Sequence, residues 1–408
     1  MVCYQALERY LPYCILYLQF LFSDTRPPLP SPSNNEGPPI LQEEVRNALK
    51  KTSKGKAPGE DGITTEMLSI LGQFSIEKLT ELYNDIYETG HIPQELLSSI
   101  FITLPKKPRA TECSDYRTIS LMPHTIKIFL KIIQERISRK IDKEVGETQF
   151  GFRPCSGTRE GIFSFNILAQ KHLEIDRDMY TCFIDYAKAF DRVHHIQLIE
   201  CLERIGIDGK DIRIIGNLYW QQKAAIRVGD DLSPFTDIKR GVRQGCVLSP
   251  YLFNIYTEII FRNSNDLEGT SINGHNVNNL RYADDTALIA DSESKLQDIV
   301  NIVKEKSSQA GLEMNVKKTK TMMISKNPLN KKINVKVNDT TLEQVQQFKY
   351  LGTQITENAK SEDEIKCRIN LAKAKFGMMN KVLTSRTIAT LYQGELGGMI
   401  WRLDTWQA

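Results

Sequence analysis

The order of secondary-structure patterns in the centre of the chain predicts an α+β fold. The order is strand, helix, hairpin, helix and strand, which is typical of a ferredoxin-like antiparallel sheet with helices on one face. Apolar spacing with the period of a strand or a helix carries this prediction. The patterns are, in chain order, Tyr180–Ile184, Ile196–Ile205, Ala224–Val228 with Thr236–Ile238, Pro250–Phe261, Leu280–Ala283 with Thr286–Ala290, Ser294–Ala310 and Thr321–Ile324.

The sequence before this centre is mainly helical. Glycines and a proline between Gly55 and Gly62 predict an irregular turn. A short extended run, Ser99–Leu104, ends at Pro105. Apolar residues at helical spacing predict helices on both sides of these segments, at Leu41–Lys50, Thr64–Leu71, Ile76–Thr89 and Thr125–Asp142.

Length and composition indicate a globular protein with more than one lobe. A chain of 408 residues exceeds the length at which a single core stops growing, so two or three lobes are expected. The net charge of +3 says little about partners, but lysines and arginines concentrate in stretches such as Lys127–Lys143 and Lys304–Lys336. Such stretches are typical of contacts with a phosphate backbone and equally of solvated helix faces.

Several classes of protein and site are excluded by the cysteines and the apolar runs. The eight cysteines are scattered without a Cys-x-x-Cys pair, which argues against a zinc site and against a disulfide framework. The apolar run Leu11–Phe22 is too short to cross a membrane as a helix. The Pro-rich segment 26–39 is typical of a linker, so we expect the folded body to begin near Ile40.

Three aspartates stand at the ends of apolar strands in the predicted sheet. Asp185 follows one apolar run, and Asp284 and Asp285 lie between two others. Adjacent carboxylates repel each other, and apolar strands make their desolvation costlier. Asp284-Asp285 alone is better interpreted as a turn, because aspartate favours turns. With Asp185 in the same sheet, metal binding becomes the better interpretation, since nucleotidyl transfer uses two Mg²⁺-type ions about 4 Å apart.

In these segments the chain resembles the reverse transcriptases of non-LTR (LINE-like) retrotransposons, of the type that also carries an endonuclease. Asp185-x-x-x-Ala189-Phe190-Asp191 resembles motif A of this family, Arg240–Pro250 resembles motif B, and Tyr282-Ala283-Asp284-Asp285 resembles motif C. Further matches follow the family's order from about residue 41 to about residue 385. They are Lys56–Gly62, Asp115–Leu121, Gln149–Arg153 with Gly157–Arg159, Gly311–Thr319 (motif D) and Phe348–Gly352 (motif E).

The resemblance implies a right-hand polymerase fold with fingers, a ferredoxin-like palm and an incomplete thumb. The expected limits are fingers over 41–160, palm with motifs A to D over 161–345, and motif E with the start of the thumb over 346–385. Residues 1–40 are expected to be an unassigned extension with a Pro-rich linker, and residues 386–408 a divergent tail. Because relatives continue at both ends, the chain is expected to be a truncated copy of such an element.

Metal binding and sugar selection are the first roles that the resemblance implies. Asp185 and Asp284 would bind both Mg²⁺ ions, with Asp285 supporting the same cluster. Phe190 would lie under the incoming sugar and exclude a 2′-hydroxyl, although its spacing alone indicates only a core aromatic. Asp191 is better interpreted as the N-terminal cap of a helix.

Nucleotide binding is the second implied role. Arg117, with Lys106 nearby, would contact the triphosphate of a dNTP, and Gln244-Gly245 would lie beside the template or nucleotide. A plain loop-to-helix turn is the alternative for Gln244-Gly245. Lys318 would protonate the leaving pyrophosphate, a role for which a solvated strand edge is an equal alternative. Two neighbours compete with it for that role, Lys317 and Lys320.

The function implied by the resemblance is RNA-directed DNA polymerase activity, which adds deoxynucleotides to the 3′-hydroxyl of a DNA primer on an RNA template. Two alternatives stay open: a folded but catalytically silent nucleic-acid-binding remnant, and a pseudogene product that is not expressed or is misfolded. An intracellular, nuclear location would follow from synthesis on chromosomal DNA, although no localisation signal is evident. The sequence does not determine the oligomeric state.

Overall fold

The computed structural model describes residues 19–383, apart from short gaps at 108–109, 111, 113–114, 230, 263–266, 273 and 329–331. The predicted tail at 386–408 therefore lies outside the described residues. Within them, two five-stranded sheets form the framework, with three two-stranded pairs at the edges. None of the helices in this part of the chain is long and apolar enough to cross a membrane.

Groups of helices and groups of strands follow one another along the chain. The helices are α1 (Gln42–Lys51), α2 (Thr65–Ile70), α3 (Gly72–Thr89), α4 (Gln94–Leu97), α5 (His124–Glu144), α6 (Thr158–Glu174), α7 (His195–Arg204), α8 (Gly209–Trp220), α9 (Ser249–Arg262), α10 (Glu293–Gln309) and α11 (Glu362–Leu383), with a 3₁₀ turn at Ala189–Arg192. The strands are β1 (Ser98–Pro105), β2 (Tyr116–Leu121), β3 (Met179–Ile184), β4 (Lys223–Val228), β5 (Asp231–Leu232), β6 (Thr236–Asp237), β7 (Thr270–Ile272), β8 (His275–Val277), β9 (Asn279–Tyr282), β10 (Asp285–Ala290), β11 (Lys320–Ile324), β12 (Lys336–Val337), β13 (Thr340–Thr341), β14 (Glu343–Gln344), β15 (Gln347–Tyr350) and β16 (Thr353–Thr356).

The central sheet has the strand order β14-β11-β3-β10-β9. Its middle strand, β3, pairs antiparallel with β10 on one side and with β11 on the other. β9 and β10 form a hairpin, and α10 connects β10 to β11. The predicted antiparallel α+β arrangement is confirmed, and the predicted ends of β3 and β11 agree with the structure to one residue.

Both faces of the central sheet are buried. Cys182 and Ile184 of β3 belong to the larger core, which includes residues of α7, α9 and α10. Phe183 points to the opposite face, where it packs with Phe165 of α6 and Tyr350 of β15. Helices therefore cover part of both faces, and the expectation of helices on one face only is wrong. Each fully buried large apolar side chain stabilises the sheet by about 1.5–3 kcal/mol.

The second, flanking sheet has β1 at its centre. β1 pairs antiparallel with β2 and parallel with β4, and β4 pairs in turn with β5 and β6. The predicted hairpin at 224–238 therefore forms, but it joins β1 rather than the central sheet. β1 comes from the range predicted as fingers and β4 from the range predicted as palm, so the two ranges share one sheet.

The segment before Ile40 packs against the body. Leu21 and Phe22 are only 8% and 4% exposed. They belong to a small core with four residues of the flanking sheet and the loop after it, Phe101, Ala224, Ile226 and Ile238. The packed body therefore begins before Ile40, earlier than the composition predicts. A Pro-rich segment can lie extended along the protein surface, and its side chains can bury part of that surface.

Arg26 connects this segment to a buried histidine. Its guanidinium donates hydrogen bonds of 3.1 and 2.8 Å to the carbonyls of Tyr219 and Trp220 at the end of α8. It also contacts Nδ1 of His195, whose Nε2 donates to the carbonyl of Gly241 at 2.8 Å. This arrangement requires a neutral imidazole with its proton on Nε2. Burial, together with the charge of Arg26, lowers the pKa of His195 to about 3.

We expect His195 to make the protein less stable as the pH falls. Between its ordinary pKa of 6.5 and its folded pKa of about 3, the unfolded chain binds a proton that the folded chain does not. Lowering the pH from 7.5 to 5.5 should therefore cost about 1 kcal/mol of unfolding free energy at this residue. His195→Gln should lack this component, while His91→Gln, at an exposed position, should retain it. Denaturant unfolding at both pH values measures the difference; an unchanged pH dependence in His195→Gln would contradict the argument.

Candidate active site

Three aspartates lie side by side at one edge of the central sheet. Asp185 is the first residue after β3, and Asp285 is the first residue of β10. Thr286 of β10 pairs with Ile184 of β3, so the same register places Asp285 beside Asp185. Asp284 is the second residue of the two-residue turn that joins β9 to β10. The register of two strands thus brings together carboxylates that are about 100 residues apart in sequence.

Desolvation raises the pKa of all three carboxyl groups. The charges of Asp284 and Asp185 add to the effect at Asp285 and bring its pKa to about 6. The charge of Asp185 also raises the pKa of Asp284, whereas that of Arg117 lowers it. At Asp185 itself, the nearby lysines oppose the upward shift. The aspartates would therefore be stabilised by a bound cation.

The donor set suits a hard divalent cation. Carboxylate oxygens are the ligands that Mg²⁺ takes in proteins, and a cation lowers pKa values that desolvation and repulsion raise. Within the described residues, however, no group of three or more His, Cys, Asp or Glu side chains is arranged to hold one ion. The backbone thus places the three aspartates together, while their side chains do not converge on one point.

Basic side chains surround the same edge. The pKa of Lys106 is lowered by burial and by the positive charges of Lys188, Lys318 and Arg117. Arg117 lies on β2, opposite Leu104 of β1, and is exposed. The sequence predicted a role for Lys106, Arg117 and Lys318 but not for Lys188. The feature that could have indicated Lys188 is its position three residues after Asp185. A cluster of cations that destabilise one another is suited to hold a polyanion.

Lys318 is the lysine of its segment that contacts the aspartates. Its Nζ lies 3.8 Å from Oδ2 of Asp185. The turn that carries it is bonded to the same residue, because the backbone N–H of Asn315 donates to the carbonyl of Asp185 at 2.8 Å. Lys320 is directed elsewhere, since its Nζ lies 2.6 Å from Oε2 of Glu343. The geometry therefore favours Lys318 over Lys320 for a role beside Asp185.

Phe190 is held rigidly beside the site. Its ring stacks on that of Phe253 of α9, with a centroid distance of 4.2 Å and an interplanar angle of 11°.

Gly245 has a φ of +97°, and a Cβ there would lie 3.3 Å from the carbonyl oxygen of Ser120. A glycine is therefore required where this loop passes β2.

Asp191 is not a helix cap, contrary to the sequence-based interpretation. It lies inside the 3₁₀ turn, and α7 begins only at His195. Its carboxylate is buried and accepts a 3.1 Å hydrogen bond from Nε2 of Gln244. The side chain of Gln244 is thus engaged with Asp191 and links the loop before α9 to the turn after β3.

Gln149 clamps the turn between β9 and β10, a role that sequence reasoning missed. Its side chain is 1% exposed, and Oε1 accepts hydrogen bonds from the backbone N–H of Ala283 at 2.9 Å and of Gly151 at 2.8 Å. Ala283 has a φ of +56°, a conformation that is strained for alanine. Gly151 must be glycine, since a Cβ there would lie 2.5 Å from the nitrogen of Ala283. The sequence feature that could have indicated this role is the spacing of Gln149 and Gly151 before α6.

A buried ion pair supports the hairpin from behind. Arg281 of β9 and Glu258 of α9 are 2% and 3% exposed at the side chain, and their charged atoms lie 3.1 Å apart. The guanidinium also lies over the ring of Phe261, 4.4 Å from its centroid. Removing one partner of such a pair leaves an uncompensated buried charge. The pair therefore fixes α9 against the strand that leads into Ala283-Asp284.

Comparisons with known proteins identify one family. The profile of the family described as "Reverse transcriptase (RNA-dependent DNA polymerase)" matches residues 104–355. "RNA-directed DNA polymerase from mobile element jockey" of Drosophila funebris is 26% identical over 362 residues, which is 86% of this chain and 39% of that protein. "Retrovirus-related Pol polyprotein from type-1 retrotransposable element R2" of Nasonia vitripennis is 26% identical over 343 residues, 82% of this chain and 32% of that protein. The matched part of this chain thus spans 32–39% of the length of these relatives.

Among solved structures, apo telomerase from Candida tropicalis has a TM-score of 0.45 and 14% sequence identity, over 71% of this chain and 54% of that chain. A form of the same protein truncated from its C-terminal domain has a TM-score of 0.44 and 13% identity, over 72% of this chain and 59% of that chain.

We expect Gln149→Met to loosen the turn at Ala283 selectively. The substitution keeps the side-chain length but leaves the two backbone N–H groups without their acceptor, which costs about 1–3 kcal/mol. Amides of the peptide spanning 279–290 should then exchange with deuterium on the order of 10- to 100-fold faster. Gln134→Met removes another buried glutamine, on α5, and is the matched control. Equal protection of the 279–290 peptide in both variants would show that the clamp does not hold the turn.

Proposed function

We propose, since this chain belongs to the reverse transcriptase (RNA-dependent DNA polymerase) family, that it adds deoxynucleotides to the 3′-hydroxyl of a primer under the direction of an RNA template. The observation that carries the proposal is the register of β3 and β10, which sets Asp185 beside Asp285 with Asp284 in the adjoining turn. The sequence similarity to the polymerases of the jockey and R2 elements supports a non-LTR retrotransposon as the source.

Asp185, Asp284 and Asp285 are the residues that would hold Mg²⁺. Two such ions, when bound, supply activation of the attacking hydroxyl and charge stabilisation at the phosphate. The chain's own contribution is to hold three carboxylates at a partly desolvated edge, where their raised pKa values favour a bound cation. Gln149 and the buried pair Arg281–Glu258 keep that edge in place.

The basic side chains would bind the triphosphate of the incoming nucleotide. Lys106, Arg117 and Lys188 lie close enough to one another for their charges to interact, and a triphosphate would relieve that repulsion. The ammonium of Lys318, beside Asp185, would donate its proton to the leaving pyrophosphate. The guanidinium of Arg117 can bind phosphate oxygens through two parallel hydrogen bonds.

Phe190 would select the sugar. Its stacking on Phe253 prevents the ring from moving aside, so a 2′-hydroxyl placed against it would meet a fixed surface. A DNA product from an RNA template requires this preference. The template and primer would be bound along basic stretches such as Lys127–Lys143, all of which lies on α5.

Replacement of Asp185 tests the proposed activity. We expect the purified chain to incorporate dTTP on poly(rA)/oligo(dT) with Mg²⁺, and Asp185→Asn to lose at least about 100-fold in rate. Residues that only support a metal ligand already cost 10–100-fold when they are changed. Asp298→Asn, at an exposed position on α10, is the matched carboxylate control. Salt-sensitive binding of RNA without any dTTP incorporation would instead support a catalytically silent nucleic-acid-binding domain.

Replacement of Phe190 tests sugar selection. Phe190→Val should raise the ratio of kcat/KM for UTP to that for dTTP by up to about 100-fold, because a smaller side chain leaves room for the 2′-hydroxyl. Phe253→Leu loosens the stack that holds the ring but keeps the ring itself, so it should raise the ratio in the same direction by a smaller factor. Single-nucleotide addition with each substrate gives the two constants. An unchanged ratio in Phe190→Val would rule out the steric role.

A further inference from the structure

A separate cavity lies on the far side of the turn that follows β3. Its volume is about 350 Å³, and it is lined by residues of the 3₁₀ turn, the loop before α9, α10 and the loop after it. None of the aspartates or other predicted site residues lines it. Ligand pockets in proteins begin at about this size. The polar side chains on its wall are Arg192, His194, Arg240, Lys304, Ser308 and Glu313.

Positive charge exceeds negative charge on this wall. Arg192 forms an ion pair of 2.6 Å with Glu313. Arg240, by contrast, donates a 3.0 Å hydrogen bond to the carbonyl of Arg192 and forms no ion pair with any described residue. Lys304 donates to the hydroxyl of Ser308 at 2.8 Å and likewise lacks a described carboxylate partner. Two cations at the wall of one cavity therefore lack a carboxylate at ion-pair distance among the described residues, although the charge of Asp24 acts on Arg240 from farther away.

His194, which also lies on the wall, adds only in part to the excess of positive charge. His194 contacts a carboxylate from the N-terminal segment, with its Nδ1 3.1 Å from Oδ2 of Asp24. It also precedes the first turn of α7, and a helix carries partial positive charge at that end. Gly311 closes the cavity here, because a Cβ at this position would overlap the imidazole of His194.

The two arginines have unused donors. Nε of Arg192 and Nε of Arg240 are buried and have no hydrogen-bond partner among the described residues. Burial and the neighbouring charge of Arg192 lower the pKa of Arg240, whereas Asp24 raises it. A guanidinium in these surroundings gains from an anion that accepts its N–H groups, and a phosphate group matches its fork of donors.

We infer that this cavity binds a phosphate group, at a site separate from the three aspartates. The phosphate would belong either to a free polyphosphate or to the backbone of a nucleic-acid strand. Arg240 and Lys304 supply the charge and the N–H donors, while the hydroxyl of Ser308 donates to the carbonyl of Lys304 and holds its side chain at the wall. The wall is continuous with the candidate active site, because the carbonyl of Glu313 accepts a 2.8 Å hydrogen bond from the N–H of Ala187, two residues after Asp185. A phosphate bound in the cavity would therefore affect the contacts of the segment that follows β3.

The test is a binding measurement on the full chain in the presence of EDTA, so that its result does not depend on polymerase activity. The probe is inorganic pyrophosphate, titrated by calorimetry into proteins that all carry Lys106→Gln/Arg117→Gln, so that the proposed triphosphate site contributes little to the signal. The double variant Arg240→Gln/Lys304→Gln should bind it at least about tenfold more weakly, because two charge-assisted contacts are lost. The control is Arg204→Gln/Lys306→Gln, which removes one cation from α7 and one from α10, neither of which lines the cavity.

A second arm distinguishes the two sources of phosphate. The affinity of a single-stranded RNA 12-mer without terminal phosphates is measured by fluorescence anisotropy for the same proteins. A loss confined to pyrophosphate assigns the cavity to free polyphosphates, and a loss confined to the 12-mer assigns it to a strand. Unchanged binding of both probes, or an equal loss in the control variant, overturns the inference. Lys304→Gln alone, at a half-exposed position, serves if the double variant does not fold.

Discussion

The antiparallel pairing of β3 with β10 is the contact on which the candidate site depends. Asp185 and Asp285 are neighbours only in the observed register, and a shift by one residue would turn every side chain of β10 to the other face. Such a shift is prevented because both faces of the sheet are buried. Phe183 and Ile184 point into different cores, so exchanging their faces would overpack one core and leave a cavity in the other.

The candidate site lowers the stability of the same sheet. Three carboxylates at a partly desolvated edge oppose folding, as their raised pKa values indicate. The strained backbone of Ala283 adds to that cost. Buried polar contacts offset it, namely the two hydrogen bonds to Gln149 and the ion pair of Arg281 with Glu258. Such a site depends on the residues that hold it in place as much as on the residues that would take part in the reaction.

The flanking sheet and its surroundings depend on contacts between residues that lie far apart along the chain. β1 and β4 are about 125 residues apart, yet they form the centre of the flanking sheet. Arg26 reaches the end of α8 and the imidazole of His195, which in turn holds the carbonyl of Gly241 beside the Gln244 loop. The segment before Ile40 therefore stabilises the surroundings of Gln244, although its composition is that of a linker.

The sequence by itself determined the α+β class, most elements of the central sheet and the three aspartates, because strand and helix periods and acids at strand ends are local properties. It also identified the family, because motifs occur in a fixed order. The tertiary structure alone decided that β4 joins β1, that Asp191 binds Gln244 rather than capping a helix, and that Lys320 points to Glu343. It also revealed the Gln149 clamp and the basic cavity at Arg240. These contacts join residues that are distant along the chain, and no local period or composition encodes which distant surfaces meet.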